Sequence, residues 1–132
     1  MVQLSETFML ESQTLDQDHQ VLVEMVNEIT EMLDSGETID CKVKVLEFIK
    51  FTKAHFAREE QLLNKVGYPY VAKHQKHHRE LYAKMDHMLE FAGLVSVNEM
   101  ARESLKTELV FFVMDDVITT DLDFKNFISG LN

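Results

Sequence analysis

His55 and Glu59 stand four residues apart, and so do His74 and His78, in a stretch that reads HFAREEQLLNKVGYPYVAKHQKHH. On a helix, residues i and i+4 leave the same face about one turn apart, so each pair can grip one site. The break at Gly67, Tyr68 and Pro69 lets the second helix run back along the first, which turns the two pairs toward each other. Imidazole nitrogen with carboxylate oxygen is a donor set for iron, manganese or zinc, and the lack of a cysteine pair argues against a structural zinc knuckle. A single such pair arises by chance in any acidic, histidine-bearing helix. Two pairs joined by a short turn define a candidate metal site.

Helices must position these groups, and the pattern predicts four. The first covers about 16–34, with Asp16 as its N-cap and Ser35-Gly36 as its stop. Its inward stripe is His19, Leu22, Val23, Val26, Ile29 and Leu33, so His19 heads an otherwise apolar seam. The second covers about 41–65 behind Asp40, with Val45, Phe48, Ile49, Thr52, His55, Phe56, Glu59, Leu62 and Leu63 on one face and Arg58 and Glu60 turned aside. The third, about 69–92, takes Pro69 in its first turn, where a missing N–H is harmless. The fourth, about 97–119, follows the capping-box pattern Ser96-Val97-Asn98-Glu99, and Asp116 interrupts its apolar face. Residues 122–132 form a short tail in which Phe124, Phe127 and Ile128 pack back. Four amphipathic helices with short links fold most economically as an all-α, antiparallel up-down-up-down four-helix bundle, a single domain over residues 1–132.

Composition narrows the function classes. A formal net charge of −10 and a pI near 4.9 oppose an electrostatic grip on nucleic acid or on an anionic membrane. No run of about 18 apolar residues exists, and the N-terminus lacks a basic region followed by an apolar one, so the expectation is a soluble, cytoplasmic protein. Cys41 is alone and cannot form an internal disulfide. The eight methionines read as core filler rather than ligands. His77 lies beside the inward stripe and His87 off it, while Asp16 and Asp18 read as helix-start residues.

From Leu15 to about Asp121 the chain resembles a hemerythrin-family domain of the bacterial type, on the strength of LDQDH, HFAREEQLL, GYP and HQKHH in that order and spacing. The resemblance implies two iron ions, oxo- or hydroxo-bridged, held by histidines and two bridging carboxylates, with molecular oxygen bound at one open position. Carried over, His19 and His55 hold the iron with the open position, His74 and His78 hold the other, and Glu59 and Asp121 bridge. Phe56, Phe112, Val113 and Val117 correspond to the apolar pocket that shields bound oxygen, with Phe112 where the family usually has tryptophan.

The family's last motif, HxxxxD, reads Asp116 to Asp121 here, so Asp116 takes the place of a fifth histidine. Either Asp116 is a replacement ligand, the expected reading because an unpaired carboxylate on a buried seam calls for a cation, or it stays off the metal. On an ideal helix Asp116 and Asp121 diverge by about 140°, so Asp121 must reach in through a distorted turn, or Asp123 must bridge instead. The leading function is a non-heme di-iron protein that binds or senses oxygen, with enzymatic activity left open. The alternatives are a di-iron oxidase or peroxidase-like enzyme, favoured by added negative charge at Asp116, and a metal-handling module without oxygen chemistry.

Overall fold

The computed structural model describes residues 2–10 and 12–129. Four long helices account for most of them: α1 Gln13–Asp34, α2 Cys41–Lys65, α3 Val71–Ala92 and α4 Glu99–Phe111, the last continuing as a π-helix over Phe112–Thr119. A short 3-10 turn at Glu6–Phe8 precedes them, and a second at Leu122–Phe124 leads into α5, Lys125–Ser129. Each long helix packs on its two neighbours in the order α1, α2, α3, α4 and back to α1, an all-α four-helix bundle.

In α1 the buried Leu15, His19, Leu22, Val26, Ile29 and Leu33 alternate in steps of four and three, with Asp18 and Val23 buried beside them, and the buried positions of α3 (His74, His78, Leu81, Met85, Met88, Ala92) alternate likewise. That spacing holds one stripe against the neighbouring helices along the whole length. Both reversals close in the same way. Gly36 and Gly67 take positive φ (82° and 74°), and the amides of Glu37 and Tyr68 reach back to the carbonyls of Met32 and Leu63 at 2.9 Å. A left-handed residue just past a helix end is what glycine permits without strain, and these backbone bonds satisfy carbonyls the helix leaves open.

Three expected starts move. α1 begins three residues earlier than Asp16, and Asp16 instead accepts the amide of Leu10 at 2.7 Å, tying down the N-terminal segment. α3 begins at Val71, past Pro69. At α4 the cap is Asn98, whose side chain accepts the Ala101 amide at 3.1 Å, rather than Ser96. Asn and Ser cap about equally well, and the residue that wins is the one whose backbone leaves the extended region where the helix can start.

Two apolar cores form. The larger runs through the bundle from Leu22, Val26 and Phe48 to Leu105, Phe112 and Val117. The smaller comprises Leu10, Leu15, Leu63, Phe124 and Ile128, so the C-terminal segment does pack back, with Phe127 against Tyr68 at 5.3 Å between ring centroids. Residues 130–132 of the expected tail lie outside the described residues.

Candidate metal centre

α1 contributes His19, α2 His55 and Glu59, α3 His74 and His78, and the end of the fourth helix Asp121; all six side chains are buried. They form two sets whose ligand atoms lie within 4.8 Å of one another: His19, His55, Glu59 and Asp121, and Glu59, His74, His78 and Asp121. Glu59 and Asp121 belong to both. Asp121 Oδ2 faces His19 Nε2 at 2.8 Å and His55 Nε2 at 3.3 Å, while its Oδ1 faces His74 Nε2 at 3.2 Å. Glu59 divides itself likewise: Oε2 lies 3.0 Å from His55 Nε2, and Oε1 contacts His74 Nε2 and lies 3.2 Å from His78 Nε2. Each carboxylate thus offers one oxygen to each histidine pair.

The donor atoms satisfy one another only in part: His19, His55 and His74 bond to the two carboxylates through Nε2, but other atoms of the cluster are left over. Glu59 Oε2 and both ring nitrogens of His78 have no hydrogen-bond partner despite their close neighbours, and His19 Nδ1 has none. Buried polar atoms left unpaired cost about 1–3 kcal/mol each, so a cluster of them calls for an occupant. Burial raises the pKa of Asp121, but its contacts with Glu59 and the histidines His19, His55 and His74 more than offset that and hold its carboxyl well below the usual range. Burial likewise opposes charge on His55, yet bonds to Asp121, Asp18 and Glu59 raise its pKa well above 6.5. Four imidazoles and two carboxylates at this spacing fit two divalent or trivalent metal ions of the nitrogen- and oxygen-preferring class.

Asp121 follows closely on the π-helical stretch Phe112–Thr119. Val113, Val117 and Asp121 are buried at four-residue steps, and an α-helix would carry each step about 40° further round. The wider π turn takes up that drift. The hydroxyls of Thr119 and Thr120 donate to the carbonyls of Met114 and Asp115, five residues back, at 2.7 and 3.2 Å. Asp123 is exposed and outside both sets.

Asp116 is not brought to the cluster, contrary to the expected ligand role. Its Oδ2 accepts Lys84 Nζ at 2.6 Å, and its carbonyl accepts His77 Nε2 at 2.8 Å. The carboxylate does take a cation, as burial requires, but the cation is an ammonium on α3 at the edge of the bundle. Asp116→Asn is therefore expected to leave metal content unchanged and to cost about 0.5–1 kcal/mol, the range of a partly exposed pair. Denaturant melts with metal analysis check this, and loss of a metal would restore the ligand role.

Asp18 is the functional side chain that sequence reasoning missed. Taken there for a helix-start residue, it is buried and accepts from His55 Nδ1 at 3.0 Å and from Arg58 Nε and a terminal Arg58 nitrogen at 2.8 and 2.9 Å. Burial pushes the Asp18 pKa up, but His55 and Arg58 outweigh it and leave the carboxyl lowered. Fixing Nδ1–H in this way aims His55 Nε2 at the cluster and raises its basicity as a ligand. Arg58 at i+3 from His55 is the one trace of this triad in the sequence.

Phe56 stacks flat on His78 (3.8 Å between centroids, 5° between planes), and Phe112, Val113 and Val117 are fully buried in the larger core. His77 and His87 belong to neither ligand set.

Residues 11–118 match the family profile described as hemerythrin HHE cation binding domain. The chain belongs to the hemerythrin family. It is 29% identical to a bacteriohemerythrin of Stenotrophomonas maltophilia over 109 residues, covering 77% of this chain and 67% of that protein. It is 25% identical to one of Campylobacter jejuni over 105 residues (79% and 74%), and 32% identical to one of Pseudomonas aeruginosa over 72 residues (54% and 46%). The chain thus spans about half to three quarters of these relatives. No solved structure matches it significantly. The profile match stops before Asp121, whose place beside the histidines is given by the geometry.

Proposed function

We propose that this chain is a non-heme di-iron protein that binds or senses molecular oxygen, with His19 and His55 holding one iron, His74 and His78 the other, and Glu59 and Asp121 bridging. The observation that carries the reading is that each of two buried carboxylates presents one oxygen to each histidine pair. Iron bound there would supply reversible electron transfer toward oxygen. The protein's own part is positional and protective. Asp18 orients His55, Phe56 fixes the plane of His78, and Phe112, Val113 and Val117 keep water from an apolar ligand. No helix among the described residues is long and apolar enough to cross a membrane, and a cytoplasmic protein is part of the same reading.

The oxidase alternative drew its support from added negative charge at Asp116. With Lys84 on that carboxylate, the support falls away. Metal analysis and visible absorption before and after anaerobic reduction test the proposal. Two irons per chain and a coloured oxidised form that bleaches on reduction are expected. One metal per chain, or a colourless protein loaded with zinc, would sink it.

A further inference from the structure

Both histidine pairs supply the same number of protein ligands, two imidazoles and two shared carboxylates. Such a four-donor set leaves coordination positions free on an iron that prefers more. What separates the two halves is access. His19, His55 and Glu59 are at most 1% exposed, whereas His74 at 6% is the most exposed of the six. His74 also lines a cleft of about 520 Å³ between the start of α3 and the end of the fourth helix. Tyr68, Tyr70, Lys73, His77, Thr120 and Asp123 form the rest of its wall. The wall bears phenol and threonine hydroxyls, an ammonium and an imidazole, and one charge of each sign.

The same seam between α3 and the fourth helix carries Asp116, which Lys84 and His77 hold away from the cluster. A cleft near the other histidine pair, walled by Ser12, Thr14, Arg58, Gln61 and Lys65, is smaller at about 290 Å³, and neither His19 nor His55 lines it.

We propose that this cleft is the port by which a small, water-borne polar ligand with nitrogen or oxygen donor atoms reaches an open position at the metal held by His74 and His78. The inference rests on the two-metal reading above. The hydrogen-bonding wall would desolvate such a ligand stepwise as it approaches His74, while an apolar gas would gain nothing from that route.

The test uses the iron-loaded full chain and azide as the probe. Lys73 is exposed and Cys41 is buried, so Lys73→Cys can be alkylated selectively with a bulky maleimide. Thr107→Cys, exposed on α4 beside a different groove, is the labelled control. Azide association, followed by rapid-mixing absorption, is expected to slow by at least about tenfold on labelling Lys73→Cys and to be unchanged on labelling Thr107→Cys. Tyr70→Ala, which widens the mouth without a label, is expected to raise the rate severalfold. Iron is counted first: a chain without two irons overturns the two-metal reading and this inference with it. A chain with two irons whose azide rate ignores both the Lys73 label and Tyr70→Ala overturns the port alone.

Discussion

Glu59→Gln is expected to empty both metal positions at once. Glu59 is fully buried and divides its two oxygens between the His55 side and the His74–His78 side, so one substitution removes a ligand from each set. Glutamine keeps the shape, but its neutral amide has only one oxygen and cannot bridge two cations. Metal content should fall from two per chain to near zero, whereas a substitution confined to one set, such as His19→Ala, should leave the other metal partly bound. The larger change, Glu59→Ala, also strips the charge partner from buried histidines and is expected to cost about 3–5 kcal/mol in the metal-free chain. Elemental analysis, with circular dichroism to confirm retained helix, is the measurement. A Glu59→Gln protein that still held two metals would refute the bridging role.

The second large effect is expected when stripped and loaded proteins are melted across pH. Without metal, burial would lower the pKa of His74, but Asp121 and Glu59 more than offset it and raise it to about 10. A histidine whose folded pKa lies above its unfolded value of 6.5 contributes stability that is complete below 6.5 and is lost as pH rises through the folded value. The stripped protein should therefore weaken between pH 6.5 and about 10, with His55 adding in the same direction. Metal requires neutral imidazole, so its hold strengthens across the same window. The gap in Tm between loaded and stripped protein should widen from pH 6.5 to 10 by something on the order of 10 °C. Parallel melting curves across that range would mean that the histidines are not charged by the carboxylates in the metal-free chain.

Much of the site could be read from the chain because ligand spacing and helix spacing coincide. His19, His55, Glu59, His74 and His78 replace apolar residues within stripes whose four-and-three alternation is plain in the sequence, and the structure buries all five together. Asp121 could be placed by resemblance only, because on an ideal helix it diverges by about 140° from Asp116, which was expected at the same site; with Asp116 on Lys84 that conflict disappears. Asp116 was misread because a sequence shows that a carboxylate interrupts an apolar face but not which cation lies across the gap, and Lys84 sits 32 residues away on another helix. Asp18 escaped for a related reason: its partners, His55 and Arg58, are 37 and 40 residues distant, and an aspartate near a helix start has a sufficient local explanation.

The placement of the six ligands between two apolar cores has a consequence for how ions could enter. Leu10, Leu15, Leu63, Phe124 and Ile128 form a small plate drawn from both chain ends and the last turn of α2, and the charged layer separates it from the main interior. Apolar contact does not cross such a layer, so without ions the plate is expected to open as its own cooperative unit, well below the free energy of unfolding the bundle. Amides of α5 and of the first turn of α1 should then exchange with solvent faster than those around Phe48 and Leu105 in the stripped chain, and slow toward them once ions tie the layer together. The end of the bundle would be a hatch: it swings aside for loading and is bolted by what it lets in.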